Sequence, residues 1–212
     1  MWGIMKNFKR IAKWVGLVLV VSFVALFVSR MFHVYNLEKT EEQVAKIHAT
    51  RLTMDDVMGK SLPPDPGAEA DKTIAGIDAN KNGIRDDVEL AIFKEYPDSA
   101  KTRAVLLQYA LALQMEVIQP VVNKETVTEV ATEGSRADTC LADTLVPRKS
   151  PESSRNDTEI EKINMYTAFV KNKQLNTEAR KKSQHDFYQG KLGSYSESTN
   201  VVCDTDHLLF LN

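Results

Sequence analysis

Acidic residues are missing from the first 32 positions, which carry five basic ones, Lys6, Lys9, Arg10, Lys13 and Arg30. Residues 33–212 then hold 22 basic against 29 acidic residues, a formal charge of −7 within a chain total of −2. Such a body has no excess of positive charge with which to neutralise phosphates, which argues against nucleic acid as a partner. Cysteine is scarce: Cys140 and Cys203 are the only two in 212 residues, enough for one disulfide at most. No glycine loop of the P-loop or dinucleotide type occurs, so nucleotide chemistry has no phosphate cradle. No segment alternates apolar and polar residues as a half-buried strand does, and no internal repeat is evident.

Long hydrophobic runs are also rare, with one exception. Trp14–Val28, "WVGLVLVVSFVALFV", contains only Gly16 and Ser22 besides apolar residues. As a helix it spans about 22 Å, short of the roughly 30 Å hydrocarbon core. Ile11, Ala12, Met31 and Phe32 extend it to residues 11–32, with Lys13 and Arg30 able to snorkel to the two interfaces. A cleaved signal peptide is the competing reading. A cut after Ala25 would place Phe23 at the −3 position, and one after Ser29 would place Phe27 there. Neither is the small residue such a site needs, and no lipidatable cysteine follows. The expectation is a single transmembrane signal anchor inserted in the lipid bilayer. Residues 1–10 then form a basic cytoplasmic N-terminus, since four basic residues precede the span and only Arg30 directly follows it.

Beyond the anchor the sequence predicts an all-α protein: a stalk, then an irregular bundle of about four to five helices. Residues 33–60 read as a charged juxtamembrane helix with a thin apolar stripe of Val34, Leu37, Val44 and Ile47, open to self-association. The prolines of "SLPPDPG" break it and open a linker over 61–77. Residues 78–212 are the exported domain. Its first helix, "DDVELAIFKEY", stops at Pro97. Asp98 or Ser99 caps the apolar "AKTRAVLLQYALALQMEVIQ", the expected core helix. Asn123 caps a third, which Gly134 weakens by about 1 kcal/mol. Thr158 and Glu161 suggest a capping box for the fourth, and Asn176 starts a fifth that Gly190 closes.

The richest stretch for chemistry is "DANKNGIRDDVE", residues 78–89. Calcium takes six to eight hard oxygens, and a twelve-residue loop supplies them from positions 1, 3, 5, 7, 9 and 12. Those positions are Asp78, Asn80, Asn82, the backbone carbonyl of Ile84, Asp86 and Glu89. Gly83 falls at position six, where the backbone turns sharply. The full D-x-[DN]-x-[DN]-G-x5-E pattern is met. A metal-free turn opening a helix is the alternative, since Asn82-Gly83 is a turn dipeptide and acids favour a helix N-terminus. The stretch resembles the EF-hand family of loops, in particular the one-sided, dockerin-like versions, and the resemblance covers these 12 residues alone. It implies one bound calcium; the two neutral asparagines among the ligands, nearby Lys81 and Arg85 and the solitary loop suit the weak extracellular class, with a Kd of roughly 10⁻⁴ to 10⁻³ M. The chain departs from the family at position eight, Arg85 in place of an aliphatic residue, and it offers no helix before the loop and no second loop. The wider "DDVMGKSLPPDPG…AGIDANKNGIRDDVE" is similar to a pattern in exported proteins of Gram-negative bacteria. That implies the inner membrane, with residues 33–212 in the periplasm.

In an oxidising compartment Cys140 and Cys203 favour a disulfide. The alternative is a metal site built from Cys203, Asp206 and His207. His185-Asp186 with the serines of "GSYSES" (193–198) can be written as a triad, but no local context supports it. Glu116, an acid in the core-like helix, could be one of a glycosidase pair. No catalytic residue is assigned. The function expected is an interaction or accessory subunit of the cell envelope with an envelope protein partner; the alternative is a periplasmic enzyme or enzyme modulator, for example one acting on the cell wall.

Overall fold

A computed structural model of the chain describes residues 2–150, 153–193 and 201–205, with side chains described from residue 13 onward. Every regular element among them is helical: α1 (Trp2–Ala49), α2 (Met54–Val57), α3 (Asp86–Glu95), α4 (Ala100–Ile118), α5 (Lys124–Leu145), α6 (Asp157–Gln174) and α7 (Glu178–Tyr188), with a short 3-10 helix at Gly67–Asp71. The chain divides into two units, residues 1–42 and 43–212.

The first unit is helix at every described residue. Its segment from Trp14 to Val28 leaves large apolar side chains exposed on every face, Leu19 at 65%, Phe23 at 69% and Leu26 at 71% among them. The helix is long and apolar enough to span a membrane.

In the second unit the helical pattern expected to run on to residue 60 stops at Ala49. It resumes as the single turn α2, whose N-cap Thr53 and Asp56 form a reciprocal capping box. The unit is organised around α4. Every residue from Arg103 to Val117 is buried, because α4 is apolar around most of its circumference and α2, α3, α5, α6 and α7 all pack on it. Leu106, Leu107 and Ala110 meet Val88 and Ile92 of α3, Val127, Val130 and Leu141 of α5, and Val170 of α6 in one core. Burying each of the larger aliphatic side chains is worth about 2 kcal/mol.

The helix starts follow local chemistry. Ser99 Oγ accepts from Thr102 N at 3.2 Å, and Asn123 Oδ1 from Thr126 N at 3.1 Å. Two expected starts are corrected. The capping box of α6 is Asn156 with Glu159, two residues before Thr158 and Glu161. The cap of α7 is Thr177, one residue after Asn176. Gly134 lies inside α5 without ending it.

The proline-containing segment 61–77 is held down rather than free. The guanidinium of Arg180, fully buried on α7, donates to the carbonyls of Ala70, Thr73 and Ile74 and pairs with Asp71. Arg180→Lys keeps the charge but loses the planar fork that serves these carbonyls, Asp71 and the side-chain oxygen of Asn176 at once. It is expected to cost about 2 kcal/mol, read as a lowered denaturation midpoint with an unchanged m-value.

The chain after α7 returns to α5. Cys140 Sγ and Cys203 Sγ lie 2.01 Å apart, at disulfide distance. Beside them the buried carboxylate of Asp204 pairs with Arg136 at 2.7 Å and Arg51 at 3.1 Å, and Glu133 pairs with the same two arginines. Gln108 of α4 donates to Val202 O and accepts from Asp204 N, both at 3.0 Å.

Candidate functional site

The loop from Asp78 to Glu89 is wound around its own side chains. Asp78 Oδ2 accepts from Gly83 N at 2.9 Å and Oδ1 from Asn82 N at 3.2 Å. Asn82 Oδ1 accepts from Ile84 N at 2.9 Å. Asp86 accepts from Ala79 N at 3.0 Å, and its own N–H donates to Ile77 O at 2.9 Å, which closes the loop at the first residue of α3. Gly83 takes φ +84°, and a Cβ built on it would stand 2.7 Å from Leu111 Cδ1 of the core helix. The glycine is therefore required twice, for backbone conformation and for close approach. Gly83→Ala is expected to destabilise by about 2 kcal/mol, measured by urea unfolding.

Among the described residues, no cation offsets the two buried carboxyls of the loop. Glu89 is fully buried on α3, and burial pushes its pKa up to about 7. The side-chain amides of Asn80 and Asn82 pull the other way, while Asp56 and Asp86 reinforce the rise. Asp86, also buried, is raised mainly by desolvation and further by Asp78 and Asp87. The amides supply what positive potential there is. Asn80 Nδ2 donates to Glu89 Oε2 at 3.0 Å. Asn82 Nδ2 is turned toward the same carboxyl but falls outside hydrogen-bonding geometry, and it is buried with no partner. Two buried carboxyls, Asp86 and Glu89, the first raising the proton affinity of the second, are the feature of this loop that a bound cation would relieve. The residues present fit calcium in this respect.

Arg85, at the position where the resembled loops carry an aliphatic residue, does different work. Its side chain is fully buried, pairs with Asp87 and donates to Lys173 O at 2.9 Å and Gln174 O at 3.1 Å. Those are end carbonyls of α6, which lack partners within their own helix. The guanidinium thus fastens the loop to the far end of the bundle. Ile84, one place earlier, fills the core.

Among the described residues, no group of three or more His, Cys, Asp or Glu side chains is set to hold a metal ion. The loop's acids are separated by amides, and two of them are engaged by backbone N–H groups. Cys203 Sγ is joined to Cys140, which removes it as a metal ligand; Asp206 and His207 lie outside the described residues. The triad fares no better. Asp186 pairs with Lys182, His185 is exposed, and serines 194–198 lie outside the described residues.

Glu116 does occupy a site. A cavity of about 340 Å³ opens between α4, α5, α6 and α7, with Glu116 at its buried end and Asp138 and Lys171 at its exposed rim. Gln184 and Tyr188 hydrogen-bond to the Glu116 carboxyl. Desolvation raises its pKa, and Lys171 offsets part of that. Asp138 is raised by desolvation too, again offset by Lys171. Sequence reasoning singled out Glu116 alone. Its partners stand on three other helices, and the one local signal was Gly134, a glycine inside α5. A Cβ there would lie 3.2 Å from Glu116 Oε1.

No family model, no curated protein and no solved structure matches this chain.

Proposed function

We propose that this chain is a membrane-anchored accessory subunit of the bacterial cell envelope. Residues 11–32 cross the inner membrane with the N-terminus in the cytoplasm, and an acidic helical domain in the periplasm engages an envelope protein partner. The observation that carries the reading is the almost wholly apolar surface of α1 over residues 14–28, exposed on all sides. Water would oppose such a surface and a bilayer would cover it.

Asp78, Asn80, Asn82, the Ile84 carbonyl, Asp86 and Glu89 would hold one calcium ion. When bound, calcium supplies the positive charge that these converging carboxyls lack. The protein's own contribution is to close the turn at Gly83, to seat Glu89 from α3, and to fasten the loop to α6 through Arg85.

Topology is tested with tags at each end. Alkaline carbonate should leave the full chain in the membrane pellet, and protease added to spheroplasts should remove a C-terminal tag while sparing an N-terminal one. Extraction into the supernatant, or protection of the C-terminal tag, would overturn the reading.

A second reading, a periplasmic enzyme or enzyme modulator, is favoured by one observation. The Glu116 carboxyl is buried with raised proton affinity beside a polar cavity, which is what acid–base chemistry requires of a side chain.

A further inference from the structure

The cavity between α4, α5, α6 and α7 is independent of both the loop and the anchor, and several features make it a site rather than a packing fault. Its volume, about 340 Å³, is in the range of small-molecule pockets. It is open because the facing surfaces of α4 and α5 carry Ala112, Ala131, Gly134 and Ser135 where larger residues would close it. Gly134 is the costliest of these, since a glycine inside a helix forfeits about 1 kcal/mol against alanine. Its missing Cβ is the space directly against Glu116 Oε1. The glycine thus admits the Glu116 carboxyl close to the backbone of α5, at the wall of the cavity.

The charges and rings of the wall define the occupant. Two carboxyls, Glu116 and Asp138, face one ammonium, Lys171, so the ionised cavity carries one net negative charge. Lys171 stands at the rim 5.9 Å from the ring centroid of Tyr109, where it interacts with both acids. Among the described residues the buried end has no cation of its own: Glu116 is met there by an amide and a phenol, the neutral donors of Gln184 and Tyr188. The rings of Tyr109 and Tyr188, with Leu113, supply flat and apolar wall. Buried carboxylate, aromatic faces and apolar flank suit a protonated amine on a short hydrocarbon body, which forms an ion pair at one end and fills apolar space with the other. An anion would meet Glu116 at the buried end, with only the rim lysine to attract it.

We propose that this cavity binds a small organic cation, a primary ammonium on a compact apolar body, with Glu116 as its counterion and the tyrosines as its walls.

The test is calorimetric titration of n-butylamine into the full chain in detergent micelles at neutral pH, with 1-butanol and butyrate as the neutral and anionic counterparts. Micelles without protein serve as the blank. The amine is expected to bind saturably at one equivalent, at least tenfold more tightly than either counterpart. Glu116→Gln should weaken it at least tenfold, and Gly134→Ala should weaken it severalfold by placing a methyl group against the Glu116 carboxyl. Asp186→Asn, an acid outside the cavity, should leave it unchanged. Melting curves of each variant establish that the fold survives. If Glu116→Gln does not fold, Gly134→Ala decides the matter alone. Absence of saturable amine binding up to 20 mM, preference for butyrate, or amine binding indifferent to both cavity variants would overturn the proposal.

Discussion

In the presence of chelator, the protein will be less stable at pH 7.5 than at pH 4.5, and millimolar calcium will offset much of that loss. The chelated trend follows from Glu89. Its folded pKa lies at about 7, above the ordinary carboxylate value of 4.5. Between those two values the folded state keeps a proton that the unfolded chain has already released. Stability therefore falls as pH rises through that window and levels off above it. A shift of this size corresponds to about 3 kcal/mol, and buried Asp86, also raised, acts in the same direction. Calcium, when bound, would favour the ionised carboxyls and pull both pKa values down, so stability should fall less steeply with rising pH when calcium is present. At 10 mM calcium and a Kd of roughly 10⁻⁴ to 10⁻³ M, linkage supplies about 1.5 to 3 kcal/mol at neutral pH. Urea unfolding of the full chain in micelles at several pH values, with chelator or with calcium, measures both trends. If the two series run parallel, the loop takes no calcium.

Removing the Cys140–Cys203 link will cost about 4 kcal/mol. The two residues are 63 positions apart, and closing a loop of that length restricts the unfolded chain to about that extent. The link also positions a polar cluster. Cys203 adjoins Asp204, whose buried carboxylate is shared by Arg51 and Arg136. Once the tail is released, Glu133 alone of these carboxylates remains beside the two arginines. A double Cys140→Ala, Cys203→Ala variant should therefore unfold at a markedly lower denaturant concentration. Asp204→Asn with the disulfide intact should fall between that variant and the parent, because Arg136, almost wholly buried, then keeps only Glu133. Equal midpoints for the disulfide-free variant and the parent would show that the tail contributes nothing to the fold.

The helical class and the core helix were legible because their signals are local. A segment as rich in apolar residues as 104–117 marks itself as core by composition, and Ser99 and Asn123 cap through atoms three residues away. The start of α6 was misplaced because Asn156–Glu159 and Thr158–Glu161 present the same spacing. Tertiary contacts favour the first: Arg155 donates to Val146 O at 3.0 Å and pairs with Asp143, which fixes the chain just before Asn156. Arg85 read as a departure from a loop pattern, whereas it serves carbonyls nearly ninety residues away. The cavity was hidden for the same reason. Glu116, Asp138, Lys171 and Tyr188 come together only when four helices pack, and Gly134 hinted at a gap without naming what faced it.

The most direct test of the calcium-loop account is calorimetric titration of calcium into the chelator-treated full chain, with Asp78→Ala and Glu89→Ala alongside. The account predicts one equivalent bound in the parent and none in either variant. No saturable heat up to 10 mM calcium, or equal binding by the parent and both variants, would contradict it and leave residues 78–89 as a turn that opens α3.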